Sequence, residues 1–187
     1  MTKNVERQQD TVGGILLAAG AGLRFGMPKV MAHQGAWLSA GVEALSGGGC
    51  GDVVVVLGAA IVDVPAPARA VVATNWSAGV SNSVRTGLAA MPGEVEFAAI
   101  TTVDTPDVDA AVVRRVVQAA RSSSSGLARA VYGGRPGHPV VIARRHWAEL
   151  FGALRGDEGA GPFLKGRDDV VAVDCADLAS GEDVDEP

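Results

Sequence analysis

The segment from Leu17 to Lys29 gathers the groups best suited to gripping an anion: Leu17-Ala18-Ala19-Gly20-Ala21-Gly22-Leu23-Arg24-Phe25-Gly26-Met27-Pro28-Lys29. Gly20, Gly22 and Gly26 let a backbone turn sharply and present its N–H groups to a phosphate without side-chain obstruction. Arg24 adds a forked cation and Lys29 a point charge to the same loop. Two commoner glycine loops do not fit. A dinucleotide fingerprint places its third glycine where Phe25 stands, and a P-loop runs Gly-Lys-Ser/Thr, whereas Pro28 precedes Lys29 and Val30 follows it. The bland alternative is an ordinary strand-to-helix turn with two exposed cations. The coincidence of the glycines with Arg24 and Lys29 favours a phosphate cradle.

Later residues supply what such a cradle lacks. Asp104, in Thr101-Thr102-Val103-Asp104-Thr105-Pro106, follows an apolar run, and Pro106 cannot extend a strand. A carboxylate at a strand's exit is placed to hold Mg²⁺ between triphosphate oxygens. The stretch Asn75-Trp76-Ser77-Ala78-Gly79-Val80-Ser81-Asn82-Ser83 offers Gly79 for close approach and small polar groups for reading a base edge. It reads equally as a helix start capped by Ser81, with Trp76 in the core. His138, in Gly137-His138-Pro139, is as consistent with a structural histidine as with a phosphate contact. Asp185, in Asp183-Val184-Asp185-Glu186-Pro187, is either a second metal ligand or part of a solvated acidic tail shared with Asp177 and Glu182.

These groups need a scaffold, and the hydrophobic pattern provides one. Apolar runs at Gly14–Leu17, Val53–Leu57, Ala70–Ala73, Phe97–Val103, Leu127–Tyr132, Val140–Ile142 and Val170–Val173 predict strands, without the alternation of a half-exposed sheet. Amphipathic stretches at Trp37–Leu45, Asn82–Met91, Asp109–Arg121 and Arg144–Leu154 predict helices between them, the third capped by Asp109. The alternation predicts a doubly wound α/β fold, whose ligands sit beyond the carboxyl ends of the strands. Residues 1–11 are polar and predict a disordered tail, leaving 12–187 as a single domain.

With 187 residues, 48% apolar but only 4% aromatic, the core must be built from Val, Ala, Leu and Ile. A net charge of −5 and no basic run argue against nucleic acid and anionic membrane surfaces as partners. The longest apolar run, Val53 to Val62, falls short of the ~20 residues a membrane-spanning helix needs. Cys50 and Cys175 form no disulfide framework or four-ligand zinc site, which together with Glu6 and Asp10 in place of a basic leader predicts a cytoplasmic protein.

The string from Leu17 to Lys29 resembles the signature of the MobA-like nucleotidyltransferases, and the likeness runs through the later motifs to the end of the chain. The resemblance implies a Rossmann-like, three-layer α/β/α fold with a mostly parallel sheet, of the nucleotide-diphospho-sugar transferase type. Ala18-Ala19-Gly20 is most similar to the molybdenum cofactor cytidylyltransferases, since relatives that use guanine nucleotides usually carry Ala-Gly-Gly there. The implied reaction is transfer of CMP from CTP to a phosphorylated acceptor such as molybdopterin, with Mg²⁺ as cofactor and pyrophosphate as leaving group. Implied catalytic residues are Arg24, Lys29 and Asp104. Leu17, Ala18, Ala19, Gly20 and Gly22 would join the cations in binding the nucleotide, with Gly79 and Ser83 forming its base and ribose pocket. Asp104 would be the principal metal ligand and Asp185 the second. His138 and Asp157, the latter in Gly156-Asp157-Glu158-Gly159-Ala160, would lie near the acceptor.

One position departs from the pattern. Gly161 stands where the family usually has an arginine, which leaves the acceptor's identity open. Two other readings therefore stand beside the first: an NAD(P)H-dependent reductase of a small aromatic compound, of the nicotine-blue type, and a non-catalytic nucleotide-binding protein that delivers to a molybdoenzyme.

Overall fold

A computed structural model describes residues 11–185 and turns the β-branched runs into one sheet. In chain order the strands are β1 (Thr11–Ala18), β2 (Asp52–Leu57), β3 (Arg69–Val72), β4 (Val95–Thr102), β5 (Leu127–Tyr132), β6 (Arg135–Ala143) and β7 (Val171–Asp174). They lie in the order β3-β2-β1-β4-β6-β5-β7. Only β6 runs against its neighbours; the β1–β2, β1–β4, β2–β3 and β5–β7 pairs are parallel. Every residue of β2 after Asp52 is buried, as a strand covered on both faces requires.

Successive strand residues face opposite sides, so two half-cores form. On one side α1 (Ala36–Gly47) and α3 (Ala110–Ser122) lay Val42, Leu45, Val112 and Val116 against Leu16, Val55 and Ala99. On the other, α2 (Val80–Ala89), α4 (Trp147–Ala153) and α5 (Gly161–Lys165) lay Val84, Leu88, Leu150 and Leu164 against Ile15, Val54 and Ile100. Each of these Val, Leu and Ile side chains, fully buried, contributes about 1.5–3 kcal/mol. The result is the expected three-layer α/β/α arrangement. Asp109 caps α3 as expected, its carboxylate accepting from the N–H groups of Ala111 and Val112 at 2.8 and 3.1 Å.

Several boundaries move. Thr11 belongs to β1 rather than to a tail, and residues 1–10 lie outside the described residues. β6 is far longer than Val140–Ile142, because Gly133 and Gly134, at φ +56° and +81°, form a two-residue hairpin turn that pairs Tyr132 with Arg135. The stretch Arg144–Leu154 splits into a 3-10 turn at Arg144–His146 followed by α4, and α5 was not foreseen. The residue at the N-cap of α2 is Gly79, not Ser81. Both cysteines are free and buried, and burial pushes the Cys50 thiol up to about 12, so it is no nucleophile at neutral pH. Among the described residues no helix is long and apolar enough to cross a membrane.

Candidate functional site

β1 and β4 run side by side in parallel, with Leu17 opposite Thr102, so both chains leave the sheet at the same carboxyl edge. The Val103 N–H donates to the Leu17 carbonyl at 3.1 Å and holds the two exits together. From Ala18 the chain enters the glycine loop. Gly22 has φ +61°, and the Gly26 N–H donates to its carbonyl at 2.8 Å, closing the loop on itself. A Cβ at Gly22 would fall 1.9 Å from the Met27 carbonyl oxygen. Pro28 then leads into a kinked 3-10 segment, Lys29–Gly35, broken at Ala32–Gln34, and the Lys29 side chain reaches back to the strand ends.

The Lys29 ammonium stands between two carboxylates, 3.0 Å from Asp104 Oδ2 and 2.8 Å from Asp185 Oδ1. The Arg24 guanidinium lies 3.1 Å from the other oxygen of Asp185. Burial alone would lower the Lys29 pKa, but its hydrogen bonds to Asp185 and Asp104 and their negative charges outweigh that and raise it. The Lys29 hydrogen bond, and then its charge, hold the Asp185 carboxyl below its ordinary 3.8. Asp185 thus ends up in the site rather than in a solvated tail. Its strap is held by the Val184 N–H donating to the Asp104 carbonyl at 2.9 Å, and by the Ser180 N–H and hydroxyl donating to Asp107 at 2.6 and 2.7 Å.

The sign of the Asp185 shift sets a pH window. A carboxyl held lower in the folded than in the unfolded state stabilises the fold above its unfolded pKa, and that contribution disappears as pH falls through the folded value. The strap is therefore expected to stay docked at pH 5 and to loosen below roughly pH 4. Faster amide exchange at Val184 on acidification, with β4 still protected, is the measurement that checks this.

The donor set suits a divalent cation only together with a ligand. Among the described residues no group of three or more His, Cys, Asp or Glu side chains converges on a metal position. Asp104 and Asp185 nevertheless supply two hard oxygen donors. Asp104 Oδ1 is buried with no hydrogen-bond partner among the described residues, as are the hydroxyls of Thr101 and Thr102. Such a buried acceptor is costly unless something fills its valence. Two carboxylates with phosphate oxygens completing the shell are an ordinary way to hold Mg²⁺.

A cavity of about 500 Å³ opens over this cluster. Of the residues singled out in the sequence, it brings together Leu17, Ala18, Ala19, Gly20, Gly22, Arg24, Lys29, Ser83, Asp104 and Asp185. It adds Leu23, Phe25, Val80, Thr102 and Val103, uncharged members of the same stretches to which sequence reasoning assigned no role. Thr102 was legible only as a polar residue ending a buried strand.

Gly79, His138 and Asp157 are not part of the lining. Gly79, at φ +117°, is approached by backbone rather than left open for a ligand. A Cβ there would meet the Gly156 carbonyl oxygen at 2.2 Å, and the Ser81 N–H donates to that oxygen at 3.0 Å. Gly79 thereby docks the turn Arg155–Glu158, on which Asp157 is exposed. Gly79→Ala is expected to lose about 1–3 kcal/mol, lowering Tm by roughly 3–10 °C, as followed by circular dichroism. His138 sits on β6 with its Nδ1 buried and unpartnered. Burial lowers its pKa against the opposing charge of Asp183, and Asp104 also lies near enough to act on it.

A glycine-loop cavity at the carboxyl edge of a mostly parallel α/β sheet is the arrangement of the nucleotide-diphospho-sugar transferase fold. Residues 14–171 match the model of the MobA-like NTP transferase domain, and the chain belongs to that family. It is 35% identical over 190 residues to nicotine blue oxidoreductase of Paenarthrobacter nicotinovorans, covering 93% of this chain and 92% of that protein. Its fold is similar to that of Rv0371c from Mycobacterium tuberculosis H37Rv, with TM-score 0.74 and 26% identity over 94% of this chain and 93% of that one. A manganese complex of Rv0371c superposes with TM-score 0.69 and 24% identity, covering 93% and 94% of the two chains. The 2-C-methyl-D-erythritol 4-phosphate cytidylyltransferase of Thermus thermophilus gives 0.70 and 19%, covering 93% and 92%. The first expectation, membership of the MobA-like family, therefore holds, and a divalent metal is bound by a protein of the same fold.

Proposed function

We propose that the cavity holds a nucleoside triphosphate, CTP by the likeness at Ala18-Ala19-Gly20, and that its nucleotidyl group passes to a phosphorylated acceptor of the molybdopterin kind. The observation that carries this reading is Lys29, gathered with Asp104 and Asp185 at the mouth of the glycine loop. An acceptor phosphomonoester, with a second pKa of about 6, is already ionised near neutral pH and needs no general base. Its oxygen attacks the α-phosphorus, a new P–O bond forms, and the bond to the β-phosphate oxygen breaks to release pyrophosphate.

The chain's residues then have tasks of alignment and charge stabilisation. Backbone N–H groups from Ala19 to Gly22 cradle the phosphates. Lys29 leaves its two carboxylates for the α-phosphate, and Arg24 turns to the leaving pyrophosphate. Ser83 offers its hydroxyl to the nucleoside from the cavity wall. Asp104 and Asp185, freed by Lys29, would hold Mg²⁺, which when bound neutralises charge on the phosphate oxygens.

A second reading has its own support. One relative, 35% identical, is an oxidoreductase, Gly161 replaces the usual family arginine, and Leu17, Leu23, Phe25, Val80 and Val103 give the cavity an apolar lining suited to a flat aromatic ring. In that reading a nicotinamide cofactor gives a hydride, and solvent a proton, to an aromatic acceptor. It gives no task to the Lys29 cluster, which is why it stands second.

One pair of assays separates them. Protein incubated with each of the four ribonucleoside triphosphates, Mg²⁺ and molybdopterin is expected to release pyrophosphate, fastest with CTP, and to stop when the metal is chelated. Consumption of NADH or NADPH with an aromatic dye and no triphosphate, without pyrophosphate release in the first assay, would replace the transferase by the reductase.

A further inference from the structure

The sheet face beneath the cavity continues past it to the far edge. Leu127 of β5 is covered on this face, packed in the half-core of α4 and α5. Two residues on, Arg129 shares that face and is only half-buried, and Ala172 of β7, its partner in parallel register, is exposed. The covering layer therefore thins out where Arg129 stands.

Five half-buried arginines occur among the described residues, and four of them are closed. Arg115 pairs with Asp177, and Arg167 with Asp169 and Glu149. Arg85 donates to the Leu154 carbonyl at 3.0 Å, and Arg144 donates to the carbonyls of Val95 and Pro92. Arg129 differs. Among the described residues its one hydrogen bond is a long 3.4 Å from Nε to the Gly137 carbonyl, and no carboxylate comes within ion-pair distance. Burial pulls its pKa below the ordinary guanidinium value, yet a guanidinium stays charged at neutral pH. Among the described residues neither terminal nitrogen has a hydrogen-bond acceptor.

The position of Arg129 relative to the proposed chemistry is set by His138. Val140, two residues after His138 on β6, lies in register between Arg129 of β5 and Ile100 of β4, and β4 leads on to Asp104. Arg129 and the end of β4 that carries Asp104 thus stand on either side of the strand that carries His138. A half-buried charge without a counter-ion is unfavourable in the free protein, and a forked guanidinium answers a phosphomonoester with two parallel hydrogen bonds.

We propose that Arg129 is the recognition residue for the phosphomonoester of the second substrate, received on the open sheet face beside His138. That this ligand is the second of two rests on the nucleotidyl-transfer reading, whereas the anion site stands on the geometry of Arg129 alone. It places the acceptor's anionic group across His138 from Asp104, and it supplies a cation on a chain that has Gly161 in place of the family's usual arginine.

Phenyl phosphate titrated into ¹⁵N-labelled full-length protein tests this directly. The Arg129 side-chain Nε–H resonance, identified by its absence from the Arg129→Lys spectrum, is expected to shift saturably, and to do so equally in Lys29→Ala protein. In Arg129→Lys, the phenyl phosphate midpoint read at the His138 ring protons is expected to rise about tenfold or more, the loss of one charge-assisted hydrogen bond. An Arg129 resonance that stays still while Arg24 shifts, no shift at any arginine, or an unchanged midpoint at His138 would each overturn the proposal. None of these readouts requires pyrophosphate release, so a site that binds phenyl phosphate in a protein that transfers no nucleotide leaves this inference standing and removes the other.

Discussion

Lys29→Ala is expected to lower pyrophosphate release by about 10²–10³-fold while the protein folds as before. Lys29 is the cation at the junction of both exits from the sheet, and its side chain is 13% exposed. A charge in such a partly screened position acts on a phosphate far more strongly than one in bulk water. Its removal leaves Asp104 and Asp185 without the ammonium between them, but Asp185 is 42% exposed and can turn to solvent, so Tm is expected to move little. Arg24, with a side chain 79% exposed and one carboxylate contact, offers the comparison: Arg24→Ala is expected to reduce turnover only about tenfold. Lys29→Arg keeps the charge but grips both carboxylates with a wider fork, so it is expected to restore little. Pyrophosphate release at saturating CTP, with a melting curve for each variant, decides the matter. Normal turnover by Lys29→Ala would remove the cluster from the chemistry.

Much of this arrangement was legible because it rests on local patterns. Runs such as Val53–Leu57 can be nothing but buried, and Asp109 before an amphipathic stretch announces a helix start. The glycine loop with Arg24 and Lys29 is likewise contiguous in the chain. What escaped depends on contacts between distant segments. The length of β6 turns on Gly133 and Gly134 making a hairpin, which the prolines at 136 and 139 obscure. Asp185 reads equally as a metal ligand and as part of an acidic tail until the Val184 N–H is seen to donate to the Asp104 carbonyl across the chain.

Gly79 shows the limit of reading residue types alone. Its need for a missing side chain was legible, but not what approaches it. A glycine before a helix suits a ligand and a neighbouring backbone equally, and here the neighbour is Gly156. Arg129 was unreadable for a related reason. Only the ion pairs and short hydrogen bonds of the other four half-buried arginines among the described residues reveal one that has neither.

Gly20 and Gly22 separate these two demands within one loop, because the fold requires the second and not the first. Gly22→Ala is expected to cost about 1–2 kcal/mol for its positive φ alone, and the clash with the Met27 carbonyl, 1.9 Å from the added Cβ, would open the loop as well. Stability and nucleotide binding should fall together. At Gly20 an added Cβ meets nothing within 4 Å, φ is not in the left-handed region, and the residue is exposed on the cavity wall. Gly20→Ala is therefore expected to leave the unfolding free energy within about 0.5 kcal/mol of the parent. If backbone N–H groups meet phosphate there, the same methyl stands where the phosphate must come. The loss of one or two hydrogen bonds to a charged group, about 1.5–3 kcal/mol, corresponds to roughly ten- to a hundredfold weaker CTP binding. Calorimetric titration of CTP with Mg²⁺, beside a denaturant curve, measures both. Parental affinity in a fully stable Gly20→Ala protein would mean that no ligand backbone contact is made at the tip of the loop, and the triphosphate would have to be placed elsewhere.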